Sequence, residues 1–347
     1  MNKYFSIVIL ITLIVFSGCI SFSNYWNSTV KLIDQNQFSE AEQIIRGELE
    51  KSPSDPLLHF RYGLLLFRKG SYIKSAIQVD SSFLLGLDLD KAQKEAEQID
   101  LSVDMIYYQA GVVDIRAGDY QQALEYLNKT SEISPYNAVV FNLMGYAHLM
   151  TGNITQAESL LWVSYTTDSL YNDARYNLCL ALFQQEKYTQ VVNLLEGKAD
   201  NPLSNFLLAS SYLHLLDTVE ILNQIDMLET MLTRAMEDSS AQIQYSCLYN
   251  LGMLEMLAGN YSEAEQMFHQ ADLLGIASPM LYYNYGVLKM KQGDYLAAKE
   301  YFTDAITFNP YFADAYTNRG ICETNLGNSE NARLDFIRGM ELRKEQE

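Results

Sequence analysis

The chain has 347 residues, 48% apolar and 19% charged, with only 6 prolines. It is too apolar for a disordered polypeptide and long enough for one large domain or two ordinary ones. Acidic residues outnumber basic ones 43 to 24, a formal charge of -19, which argues against a broad nucleic-acid footprint because phosphate contacts need a basic surface.

The chain opens MNKYFSIVILITLIVFSGC, with Lys3 ahead of a greasy run from Ile7 to Phe16 that ends in Ser17, Gly18 and Cys19. The run has the length of a signal-peptide core and is short for a bilayer crossing. Counted from Tyr4 to Ile20 it approaches spanning length, which leaves an uncleaved anchor as the alternative. The box resembles the bacterial lipoprotein signal, with small residues at Ser17 and Gly18 and a departure at Phe16, where leucine is usual. That resemblance implies a signal peptide over 1–18, acylation of Cys19 with chains such as palmitate, and a short tether over 19–25. Several acyl chains would make a durable membrane anchor. Ile20 and Ser21 follow the cysteine with no acidic residue. In that family this leans towards a periplasm-facing outer-membrane location, with surface exposure left open.

Beyond the tether, two N-terminal segments carry weak helical-pair signals: Trp26 to Asp55, with Phe38 and Ala41, and Pro56 to about Leu89, with Gly63, Gly70 and Tyr72. An amphipathic insertion, LDLDKAQKEAEQID, follows within 80–100. From 104 a strict period of 34 appears: Gly111, Gly145 and Cys179; Gly118 and Gly152; Tyr120, Ile154 and Tyr188; Ala123, Ala157 and Val191; Leu127, Leu161 and Leu195. The same frame returns from 245, with Gly252, Gly286 and Gly320, then Gly259, Gly293 and Gly327. Ala264, Ala298 and Ala332 follow, and then Phe268, Phe302 and Phe336. Each unit reads as helix, glycine turn, helix, with Pro135 and Pro310 closing two of them. Between the blocks, 206–244 keeps amphipathic helices but loses the glycine and aromatic marks. Cys179 to Gly252 is 73 residues, five more than two periods.

The order of small residue, glycine turn, aromatic, alanine, aromatic and proline resembles the tetratricopeptide repeat family. The resemblance covers nearly all of the exported chain. It implies an all-α, right-handed superhelical solenoid of about nine helical pairs: degenerate repeats over 26–103, three repeats over 104–205, a divergent pair over 206–244 and three repeats over 245–346. In this family the first helices line the concave side, at the second, fifth, sixth, ninth, twelfth and thirteenth places of each unit. Carried onto this chain, those places give a binding groove of Tyr108 and Val112; Asn142 and Tyr146; Tyr176, Asn177 and Leu180; Tyr249, Asn250 and Met253; Tyr283, Asn284 and Val287; Asn318 and Ile321. Tyrosine faces and asparagine amides suit an extended peptide or a partner helix, although the same tyrosines can equally fill seams between units. The family's chaperone-tail clamp, lysine then asparagine, is replaced by Tyr283 and Val287, or by Tyr176 and Leu180.

Catalytic signatures do not appear. His59, His148, His214 and His269 form no HExxH pair, no GxSxG or GxxxxGK loop occurs, and no zinc-ligand spacing is present. His148 falls at a core place in its repeat. Cys179, Cys247 and Cys322 lie in apolar helical stretches and read as small buried hydrophobes. No cofactor or metal is implied. The expected function is therefore a membrane-anchored, non-enzymatic scaffold for other cell-envelope proteins or peptides. A carrier of a small hydrophobic ligand and a self-assembling structural element are the alternatives, and homo-oligomers stay open.

Overall fold

The computed structural model describes residues 25–237 and 240–346; the signal segment, Cys19 and nearly all of the 19–25 tether lie outside them. The described residues are helical, with no strand among them. No described helix is long and apolar enough to cross a membrane. The described residues form two compact units, divided between Ala181 and Leu182.

The first unit contains α1 (25–34), α2 (Phe38–Lys51), α3 (Pro56–Arg68), α4 (Tyr72–Leu84), α5 (Leu89–Glu97), α6 (Val103–Ala117), α7 (Tyr120–Ile133), α8 (Ala138–Met150), α9 (Ile154–Thr167) and most of α10 (Asn172–Gln184). Sequential helices pair because the small residue of one meets a large apolar residue sixteen places later in the next. A methyl group added at Gly111 would lie 2.8 Å from Leu127, so the glycine sets how closely α6 and α7 approach. Gly118 ends α6 in the left-handed conformation, φ 83°, which a side chain would strain. Asp55 and Asn137 cap the starts of α3 and α8 by accepting backbone N–H groups.

The 80–100 insertion is the helix α5, and it is built into the N-terminal core. Ala92 and Ala96 are fully buried among Trp26, Phe60 and Ile106. Arg61 on α3, itself buried, donates to both carboxylate oxygens of Glu95 on α5, at 2.9 and 3.1 Å. Its guanidinium lies 4.8 Å from the Trp26 ring centre. The Trp26 indole in turn donates to Gln98 Oε1 at 2.8 Å, just past the end of α5. The insertion therefore braces α1 and α3.

The second unit holds the end of α10, then α11 (Tyr188–Leu195), α12 (Pro202–Leu215), α13 (Thr218–Asn223), α14 (Ile225–Ala235), α15 (Ala241–Ala258), α16 (Tyr261–Leu273), α17 (Pro279–Lys291), α18 (Tyr295–Phe308), α19 (Ala313–Asn325) and α20 (Ser329–Gln346). The glycine-to-aromatic approach recurs, with a methyl at Gly286 falling 2.6 Å from the Phe302 ring. Ala264 and Ala298 are fully buried on the facing side. The divergent helices start at Pro202 rather than at 206. Pro202 and Pro279 both open their helices, and in that register Ala209 takes the place of Gly286, Phe206 that of Tyr283 and Leu207 that of Asn284. The extra length sits in the short helix α13, started by a capping box between Asp217 and Glu220.

Candidate protein-binding face

The tyrosines and asparagines expected at groove places occupy the first helix of each pair, and the structure links them in a regular way. Asn284 Nδ2 donates to the Tyr249 hydroxyl at 2.6 Å, and Asn318 Nδ2 to the Tyr283 hydroxyl at 2.9 Å. In the first unit Asn177 Nδ2 donates to Asn142 Oδ1 at 2.9 Å, and Asn142 Nδ2 to the Tyr171 hydroxyl at 3.2 Å. In three of these bonds the sixth residue of one repeat reaches back 35 places to the fifth residue of the repeat before. Each such bond is worth about 1 kcal/mol net and fixes the register of neighbouring first helices.

Asn142, Asn177 and Asn284 are buried. Their amides, together with that of Asn318, are engaged inside the fold rather than presented for capture of a main chain. Asn250 differs: its half-buried side chain has no partner among the described residues. In the register of α12 the corresponding place is Phe206, 44 residues back instead of 35, and it carries no hydroxyl.

The tyrosine rings are neither free nor fully enclosed. Tyr249 lies 6.3 Å from Tyr245 and 6.2 Å from Phe268, and Tyr283 lies 4.8 Å from Phe312. Tyr108 packs with Leu124 and Met144, Tyr146 stands edge-on to Tyr120 at 6.2 Å, and Tyr176 is half-buried. Burial raises the pKa of Tyr176, Tyr249 and Tyr283 above the ordinary phenol value, so all three stay neutral. Met253 and Val287 are half-buried against the Phe268 core, and Val112 is half-buried on α6. Each face therefore combines partly exposed aromatic rings with a fixed polar seam. The 35-residue interval between tyrosine and asparagine is legible in the sequence; the direction of the bond is not.

Among the described residues the cysteines offer no reactive thiol. Cys179, Cys247 and Cys322 are free and buried, and burial pushes their pKa up to about 12, 12 and 11. His148 is pulled below the usual histidine value by desolvation. Among the described residues no group of three His, Cys, Asp or Glu side chains converges to hold a metal ion.

Each unit carries at least one cavity among its described residues. In the first unit, a cavity of about 570 Å³ opens beside Phe83, Leu84, Leu89 and Ile133. Its polar wall is Asp80, which accepts from the Tyr107 hydroxyl at 2.8 Å and from Lys129 Nζ at 2.6 Å. In the second unit, a cavity of about 280 Å³ lies between the end of α10, α12 and α15.

Two family profiles, each described as tetratricopeptide repeat, match residues 114–161 and 281–312. None of the curated proteins compared matches the sequence. Among solved structures, the APC/C hetero-tetramer Cut9–Hcn1 is similar at a TM-score of 0.50, with 13% identity over 90% of this chain and 71% of that one. The P58(IPK) TPR domain matches at 0.33, with 13% identity over 94% and 99% of the two chains. MamA from AMB-1 matches at 0.42, with 18% identity over 49% and 98%. The first of these likenesses supports the fold alone.

Proposed function

Because the chain is a tetratricopeptide repeat protein, we propose that it is a non-enzymatic scaffold whose first-helix faces hold a segment of another protein. The observation that carries this reading is the row of half-exposed groove residues, Tyr249, Met253, Tyr283 and Val287, on a backbone whose register is fixed by the asparagine bonds. Rigid aromatic surface contributes contact area at little ordering cost, and a face fixed in advance loses less on binding. Tyr108, Val112, Tyr146 and Tyr176 supply the corresponding face of the first unit.

The partners are envelope proteins or peptides, and the tether is an acylated Cys19 in the outer membrane, facing the periplasm. This part of the proposal rests on the Ser17-Gly18-Cys19 box behind its greasy run. Metabolic labelling with a fatty-acid analogue tests it: the label enters the wild-type protein and is lost from Cys19→Ala. Incorporation that survives this substitution refutes acylation at Cys19.

The scaffold itself is tested with a photo-crosslinking residue in intact cells. Placed at Val287 on α17, it yields covalent adducts with a second protein. Placed at Leu296, which is 58% exposed on α18, it yields none. Adducts from Leu296 alone, or none from any first-helix position, overturn the reading.

A further inference from the structure

The sequence of first helices is interrupted once in the second unit, at α12, and the interruption leaves unmet chemistry. Phe206 holds the place that Tyr249 and Tyr283 hold in later repeats. Asn250 therefore has no hydroxyl to donate to, unlike Asn284 and Asn318. Two further polar groups line the same cavity. Ser210 Oγ and the Tyr245 hydroxyl are buried, with residue exposures of 4% and 8%, and neither has a hydrogen-bond partner among the described residues. Ser278 approaches Tyr245 without completing a bond. Ordinarily a buried hydroxyl finds a partner, because leaving one unmade forfeits its hydration. Two orphans and an unpaired amide around one cavity mark a place shaped for something that supplies the missing bonds.

The remaining walls say what that is. Phe183, Phe206 and Leu213 form the apolar side, with the two phenyl rings 6.4 Å apart. No carboxylate, ammonium or guanidinium lines the cavity, and its one imidazole, His214, stacks on Tyr188 at 4.3 Å, so a cationic occupant would be desolvated with no counter-charge. The volume of about 280 Å³ falls below the usual range for small-molecule sites, roughly 300–1,000 Å³, and suits a single large side chain. The unpaired groups supply a hydroxyl donor and acceptor and an amide, which together match one peptide unit.

The geometry points to an anchor pocket for one uncharged aromatic or branched aliphatic residue of an extended peptide. Its side chain lies against Phe183, Phe206 and Leu213, and its main chain pairs with Asn250 and Ser210. This inference rests on the scaffold reading and deepens it, placing the specificity of the face at the irregular helix instead of in the regular repeats.

The test uses capped single residues on the full-length chain in detergent, followed by ligand-observed saturation-transfer NMR. N-acetyl-phenylalaninamide and N-acetyl-leucinamide bind in the roughly millimolar range expected of ligands this small, and N-acetyl-lysinamide does not. Asn250→Ala and Ser210→Ala each weaken binding by about five- to tenfold, the worth of one hydrogen bond. Ser210→Ala also raises the melting temperature of the free protein, because it removes an orphaned hydroxyl. That opposite movement of stability and affinity is not expected of a merely structural serine.

Toluene binding as tightly as the capped residues, indifferent to both substitutions, would show a plain apolar void and overturn the inference. So would absence of capped-residue binding up to the solubility limit. If Val287 crosslinks to a partner while the capped residues fail, the pocket falls and the scaffold stands. If the capped residues bind while no first-helix position crosslinks, the scaffold reading is at fault.

Discussion

Single residues in the repeats are constrained by backbone angle as much as by packing. Gly118, Gly152, Gly259, Gly293 and Gly327 all end a first helix with positive φ. At the equivalent place after α10 stands Glu186, with φ 58°. An L-residue there loses about 1–2 kcal/mol to contact between its Cβ and the backbone. Glycine avoids that contact but loses more freedom on folding, about 0.5–1 kcal/mol. Glu186→Gly should therefore stabilise the protein by about 0.5–1 kcal/mol, seen as a higher urea midpoint at unchanged slope; an unmoved or lower midpoint contradicts the strain. The turn itself was legible from the period of its neighbours. That this one is made without glycine was not, because a glutamate on a helix end looks like any solvated residue. The same limit applied to the asparagines: a polar residue on a first helix reads as available until its partner, a full repeat away, is seen.

At the scale of elements, the hairpins were readable wherever both small residues and the turn glycine recur. The departures were visible only as extra length. The stretch LDLDKAQKEAEQID reads as an amphipathic insertion that spaces two units by more than one period, and its pattern names no partner. The structure gives it one. Glu95 on α5 neutralises Arg61, whose side chain is only 8% exposed. Removing one member of such a pair strands the other in a poor dielectric, at a loss of about 3–5 kcal/mol. Glu95→Ala should accordingly destabilise the first unit by about that much in chemical denaturation, and Arg61→Met in the same chain should recover most of it. A loss under about 1 kcal/mol for Glu95→Ala would mean the pair is effectively solvated. The divergent helices hid their register for a related reason. Pro202 and Ala209 carry it in place of the glycine and aromatic marks, and neither residue stands out until α12 is superposed in register on α17.

Over the whole molecule, contacts run mainly between helices adjacent in sequence, so stability is a sum of hairpins and their immediate interfaces. A local defect should then spread only as far as its neighbours. Ala298 on α18 is fully buried against Phe302 and Cys322 on α19. Glutamate there would put a carboxylate into a gap sized for a methyl group, with both overpacking and desolvation against it, several kcal/mol in total. If stability were shared evenly along the chain, Ala298→Glu would lower protection against amide exchange everywhere. Neighbour coupling gives a different pattern. Protection should be lost first over α17 to α20, with α15 and α16 affected less, because α18 is the partner of α17 and α19 but has no comparable contact with earlier helices. Helices α1 to α9, with their own core around Trp26, Phe60 and Ile106, should exchange as in the wild type. Hydrogen exchange with mass spectrometry resolves these segments directly. Uniform loss across both units would show that the chain unfolds as one cooperative body and that the repeats are not the elementary units of its stability. Unchanged protection over α17 to α20 would show instead that the Ala298 site accepts a charge.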